Sequence, residues 1–179
     1  MHTGAPLASV SLQVSTSIDT TAPVPDPATS GTTVRFDTKV AILLRDNLAV
    51  WQQLNVAAFL VSGLVGAVDG IIGGRYEDAD GTAYLAMCRQ PITILEGDAA
   101  VLVSSLRRAL DRELRVAVYT EEMFSTGNDD DNRAAVKAVP RDQLNLVGIG
   151  VYGARSAVDK ALKARGCTAS FPAGMHPQW

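Results

Sequence analysis

The sequence predicts a single-domain α/β fold built on a mixed sheet. Short apolar runs rich in β-branched residues alternate with longer helical segments along the chain. Two of those runs, residues 82–88 and 91–95, follow one another directly, which allows antiparallel neighbours in the sheet. A length of 179 residues, 47% of them hydrophobic, suits one core rather than two.

The elements follow in order. Residues 1–37 are rich in Ser, Thr, Pro and Ala and lack periodicity, so they are expected to form a disordered tail rather than pack. No basic residue precedes an apolar stretch there, which argues against a secretory leader. The body, residues 38–166, opens with the run 39–44, whose continuous apolarity suggests a strand covered on both faces. A helix is expected over 50–68. Its apolar central part is shorter than the roughly 20 residues that a bilayer span needs, so burial in a protein core is the preferred reading. The acids and glycines around Asp78, Asp80 and Gly81 signal a turn. Strands are then expected over 82–88 and 91–95, with Pro91 confined to a strand start or an edge. Asp98 caps a helix reaching about Leu114, with Val103, Leu106, Leu110 and Leu114 on one face. Strands over 115–120 and 144–152 and a helix over 154–165, closed by Gly166, complete the domain. Residues 167–179, with Pro172 and Pro177, are expected to be a loose end.

Composition removes much familiar chemistry. The two histidines, His2 and His176, lie in the terminal segments, so His-based triads and His-ligated metal sites are not expected in the body. No metal and no cofactor is expected. Cys88 and Cys167 lack CxxC spacing, which suggests a reducing compartment, and the chain is expected to be cytoplasmic. Cys88 is expected to be a small core residue. A net charge of -3 gives no electrostatic case for nucleic acid. Gly148, Gly150 and Gly153 satisfy GxGxxG, but the chain ends too soon for a second strand with a ribose-binding acid. Close packing explains these glycines better. The run 128–132, Asn-Asp-Asp-Asp-Asn, lacks calcium-loop spacing and reads as a solvated loop. The arginines at 107, 108, 112 and 115 read as a solvated helix face.

A candidate site comes from chain order. Arg45, Asp46 and Asn47 end the first strand, Gln52, Gln53 and Asn55 begin the first helix, and Thr120, Glu121 and Glu122 end a later strand. In an open α/β sheet, ligands bind beyond the carboxyl ends of parallel strands. If the two strands run parallel, these groups share one rim. Capping and solvation explain them about as well. An amide at Asn55, on an otherwise apolar helix, needs polar partners if it is buried.

The ending Val147-Gly-Ile-Gly150-Val-Tyr-Gly153, with Val158-Asp159-Lys160, resembles the closing strand and helix of the peptidyl-tRNA hydrolase II family. The opening run from Lys39 to Arg45, followed by Val56-Ala57-Ala58, resembles that family's first strand and helix. With Leu54-Asn55-Val56-Ala57-Ala58-Phe59 and Pro91-Ile-Thr-Ile-Leu95 included, the chain looks more like an uncharacterised domain family sharing this fold. The resemblance spans residues 38–166 and implies a three-layer sandwich: a mixed four-stranded sheet with helices on both faces, in a homodimer. For true members it also implies hydrolysis of the ester joining peptide to tRNA. This chain departs where that chemistry sits. Asn55 replaces the family's lysine, Phe59 its glutamine, and Thr120-Glu121-Glu122-Met123 stands in place of an Asp-Ala-Gly signature and its threonine. Without the lysine no cation is left there for a phosphate or an oxyanion, which argues against tRNA as a partner.

Two functions follow. In the first, hydrolysis or acyl transfer on an aminoacyl-tRNA or small acyl ester, Glu121 or Glu122 acts as general base. Asn55 donates to the oxyanion, and Thr120, Gln52, Asp46 and Asn47 hold the substrate. In the second, the fold serves as a non-catalytic module for binding a small ligand or for dimerisation through the apolar segment 59–68. No membrane partner is expected.

Overall fold

The computed structural model describes residues 35–163 and Thr168–Ala169. The expected tail over residues 1–37 lies almost wholly outside the described residues, as do Gly166 and both histidines.

The first strand, β1 (Thr38–Arg45), is central and dry. Its alternate side chains serve two cores: Val40, Ile42 and Leu44 face one side and Ala41 and Leu43 the other. That two-sided demand explains the unbroken apolar run. Helix α1 (Val50–Ala67) covers the first side through Val56, Leu60 and Leu64. At its start the Gln52 side chain accepts from the Ala49 N–H at 3.0 Å. The chain then makes an arm: strands β2 (Tyr76–Glu77) and β3 (Ala83–Tyr84) pair antiparallel, and Ile72 bridges Cys88. The strand expected over 82–88 is therefore only two residues long. Its apolar side chains Tyr84, Leu85 and Met87 are exposed and have no sheet to cover.

Pro91 stands just before β4 (Ile92–Gly97), which runs parallel to β1. Asp98 caps α2 (Ala99–Leu110), accepting from the Val101 N–H at 2.7 Å. The helix stops short of Leu114 because Glu113 adopts a left-handed conformation (φ 54°) and the Leu114 N–H returns to the Ala109 carbonyl. Strand β5 (Arg115–Thr120) has the predicted bounds. A 3-10 turn (Glu121–Ser125) and helix α3 (Asp129–Lys137) follow. Helix α3 corrects the reading of 128–132 as a loop. Asn128 caps it, accepting from the Asp131 N–H at 2.9 Å, and three acids sit in its first turn beside the positive end of the helix dipole. A short 3-10 turn (Arg141–Gln143) leads to β6 (Leu146–Ala154) and α4 (Arg155–Leu162).

The sheet order is β5-β6-β1-β4-β7, where β7 (Thr168–Ala169) adds two residues beside β4. These two residues fall in the segment expected to be loose. The β6 strand is antiparallel to both β1 and β5, while β1 and β4 are parallel, so the sheet is mixed as predicted. Helices α2 and α4 pack on the face opposite α1, through Val101, Leu102, Leu106, Val158 and Leu162. Arg108 joins them by donating to the Ala161 carbonyl at 2.7 Å and to the buried Ser105 hydroxyl at 2.9 Å. This part of the expected solvated basic face is thus structural. Gly148 and Gly150 lie inside β6 rather than in a turn, facing Leu60 of α1, where they allow the helix to approach.

Candidate functional site

Because β1 and β5 both oppose β6, they point the same way, and their carboxyl ends share a rim. Arg45 organises it. Its guanidinium pairs with Glu121 and donates to Asn47 Oδ1 and to Asn145 Oδ1, each at 2.9 Å. Asp46 and Glu122 are exposed. Gln52 is occupied in capping α1, and Gln53 bridges to the Leu48 carbonyl and to Glu96. Thr120 is fully buried, and its hydroxyl has no partner among the described residues. The Glu121 carboxylate is thus held by a cation and directed along the rim.

Asn55 lies elsewhere. It is exposed rather than buried, and its Oδ1 accepts from the Tyr119 hydroxyl at 3.4 Å, a long contact. It lines a cleft of about 830 Å³ between α1, β5, the 3-10 turn and α3. None of Asp46, Asn47, Gln52, Thr120, Glu121 or Glu122 lines that cleft. Of the proposed oxyanion donor and the two proposed bases, the cleft lining therefore takes in Asn55 alone.

The cleft has an aromatic wall. Trp51 meets Phe124 edge-on with centroids 5.8 Å apart, Phe124 lies 5.3 Å from Tyr119, and Tyr119 meets Phe59 edge-on at 5.7 Å. Tyr119 is only 5% exposed, and burial pushes its phenol above the ordinary value of 10.0, so it is a neutral hydrogen-bond donor across the physiological range. Opposite stands α3, which presents Asn128, Asn132, Arg133, Val136 and Lys137. Arg133 is engaged by Asp129 and Asp130, whereas Lys137 has no ion-pair partner among the described residues. Also among the described residues, no three His, Cys, Asp or Glu side chains are grouped to hold a metal ion.

Trp51, Tyr119, Phe124 and Lys137 were not singled out from the sequence. A usable signal was Asn128 followed by three acids, with Arg133 one turn on, which is the signature of a capped helix start. The aromatic residues are scattered over α1, β5 and the 3-10 turn, so only the fold brings them together.

A family described as "Protein of unknown function (DUF2000)" matches residues 38–167. The solved structure of a protein of unknown function from Agrobacterium tumefaciens strain C58 is 41% identical. It covers 75% of this chain and 98% of its own, with a TM-score of 0.72. No curated protein matches. Both matches are to proteins of unknown function, and neither supports a link to peptidyl-tRNA hydrolase II.

Proposed function

This chain belongs to the DUF2000 family, and from that premise we propose that it is a small-ligand-binding module. Its ligand has a flat apolar or acyl body and an anionic head. The observation that carries this reading is the aromatic wall of the cleft, faced by amides and by Lys137, which has no ion-pair partner among the described residues. Aromatic faces take a planar or hydrocarbon body with little loss of conformational entropy, while a few polar groups fix its orientation. The Asn55 amide N–H₂ is left to donate, since only its oxygen is used by Tyr119. Hydrolase chemistry is less well supported. A general base must reach the substrate within hydrogen-bond distance, directly or through one water. Glu121 instead pairs with Arg45, off the cleft lining.

The test uses anilinonaphthalene sulfonate, an aromatic body with an anionic head. We expect one dye per chain. Phe124→Ala should weaken binding roughly 10-fold and Lys137→Gln roughly 5-fold, the losses that follow from removing one aromatic wall or one charge partner. Unchanged affinity in both variants overturns the cleft as the site. The protein should not cleave p-nitrophenyl acetate above the buffer rate. Turnover that disappears in Glu121→Gln would restore the hydrolase reading.

A further inference from the structure

Helix α1 carries no charged residue in its 18 positions, and only Val56, Leu60 and Leu64 are buried against the sheet. Its opposite side leaves Val50, Trp51, Leu54 and Phe59 between 51% and 71% exposed. The arm adds Ile72, Tyr76, Tyr84, Leu85 and Met87, with Leu85 at 79%. The arm meets the helix, because Val61 and Val65 on the flank of α1 share an apolar groove with Ile72, Tyr76 and Met87.

We propose that this face is where a second copy of the chain docks, α1 against α1, with each arm reaching over the partner. These nine large side chains, between 39% and 79% exposed, offer about 100 Å² each and present on the order of 1,000 Å². A typical monomer's largest apolar patch is about 300–600 Å², and a standard interface takes about 800 Å² from each partner. The chemistry suits a copy of itself. A surface without charge meets its twin across a two-fold axis with no like-charge repulsion. Ala58, Ser62 and Gly66 recur every four residues along the exposed side, so two helix backbones can cross closely there. The Ser62 hydroxyl is already satisfied by the Phe59 carbonyl at 2.7 Å and can leave water at little cost. The ring of charge falls outside, at Arg75, Glu77, Asp80 and Arg89, all exposed. A lipid surface is the competing occupant, since α1 has the length and a mean hydropathy of 1.3. However, helices that lie on membranes carry Lys and Arg on their polar side, and α1 has none.

Sedimentation equilibrium of the full chain tests this. The wild type should show a monomer–dimer equilibrium. Leu54→Lys and Leu85→Lys, both exposed and outside the cleft, should each raise the dissociation constant roughly 30-fold or more. Arg107→Glu on α2, across the sheet, should leave it unchanged. Circular dichroism checks that each variant is folded. Ser62→Cys should give a disulfide-linked dimer under mild oxidation, where the wild type, with Cys88 and Cys167 in place, does not. A wild type that stays monomeric at about 100 μM, well above the range of a functional dimer, overturns the proposal. So does a dimer indifferent to Leu54→Lys. Capture of the monomer by phosphatidylglycerol vesicles, without self-association, assigns the face to lipid instead.

Discussion

A Cβ added at Gly148 would lie 2.6 Å from Val56 Cγ1 and 2.9 Å from Leu60 Cδ1, closer than real side chains approach. Both neighbours are fully buried and held from several sides, so neither can yield cheaply. Gly148→Ala should therefore destabilise by about 1–3 kcal/mol, the usual range for overpacking a filled core. Gly66 is the counter-case: nothing lies within 4 Å of its added Cβ, and it sits in a helix. Gly66→Ala should gain the monomer, at concentrations too low for self-association, up to about 1 kcal/mol through helix propensity. Paired urea titrations check both, and equal effects at the two positions would show that the α1–β6 contact is not what requires glycine. The same residues show what a single chain can reveal. Gly148, Gly150 and Gly153 are legible as packing glycines, and all three lie inside β6 rather than in the strand-to-helix turn that a dinucleotide fingerprint places them in. Asn55 is legible as an odd amide on an apolar helix. Its exposure is not, since sequence cannot say which side of an all-apolar helix meets the sheet.

At the scale of elements, one side chain gathers the turn of the two-strand arm. The Asp78 carboxylate accepts from the Thr82 N–H at 2.8 Å, the Tyr84 hydroxyl at 2.8 Å and the Asp80 N–H at 3.0 Å. The backbone bond from Thr82, then that from Tyr84, holds its pKa below the ordinary 3.8. A carboxylate whose pKa falls on folding binds protons more weakly in the folded arm. Its contribution is then complete above pH 3.8 and is lost as pH falls through the lower folded value. The arm should therefore loosen in acid below pH 3.8 while the sheet persists, seen as selective loss of amide protection at Thr82. Asp78→Ala should give the same loosening at neutral pH, and protection that is indifferent to both changes would assign the arm's order to its apolar contacts. The turn at 78–81 is legible because its chemistry is local. Helix α3 escapes notice because it buries no residue and so lacks apolar periodicity. Its caps are local signals as well, but three consecutive acids read equally as a solvated loop.

At the scale of the whole molecule, β1 is the easiest strand to read. Helices on both sides of it demand apolar residues at each position from Val40 to Leu44, so its sequence carries the layered architecture. Helix α1 is ambiguous for a related reason. A helix apolar all round is expected to be buried all round, yet a 130-residue body has one sheet face to offer it. If a second copy supplies the other cover, folding and association are linked, and stability must depend on protein concentration. Each tenfold rise in concentration adds about 1.4 kcal/mol per dimer, which is a shift of a few degrees in the unfolding midpoint. The contact is apolar, so sodium chloride should change it little, whereas sulfate, excluded from apolar surface, should strengthen it. Leu54→Lys should flatten the concentration dependence without moving the midpoint at the lowest concentrations, because position 54 contributes nothing to the monomer's core. Differential scanning calorimetry over a hundredfold concentration range reads all of this together. A midpoint constant across that range would mean that the sheet and its own helices supply the whole stability of the domain, and that the bare side of α1 is kept for something other than its twin.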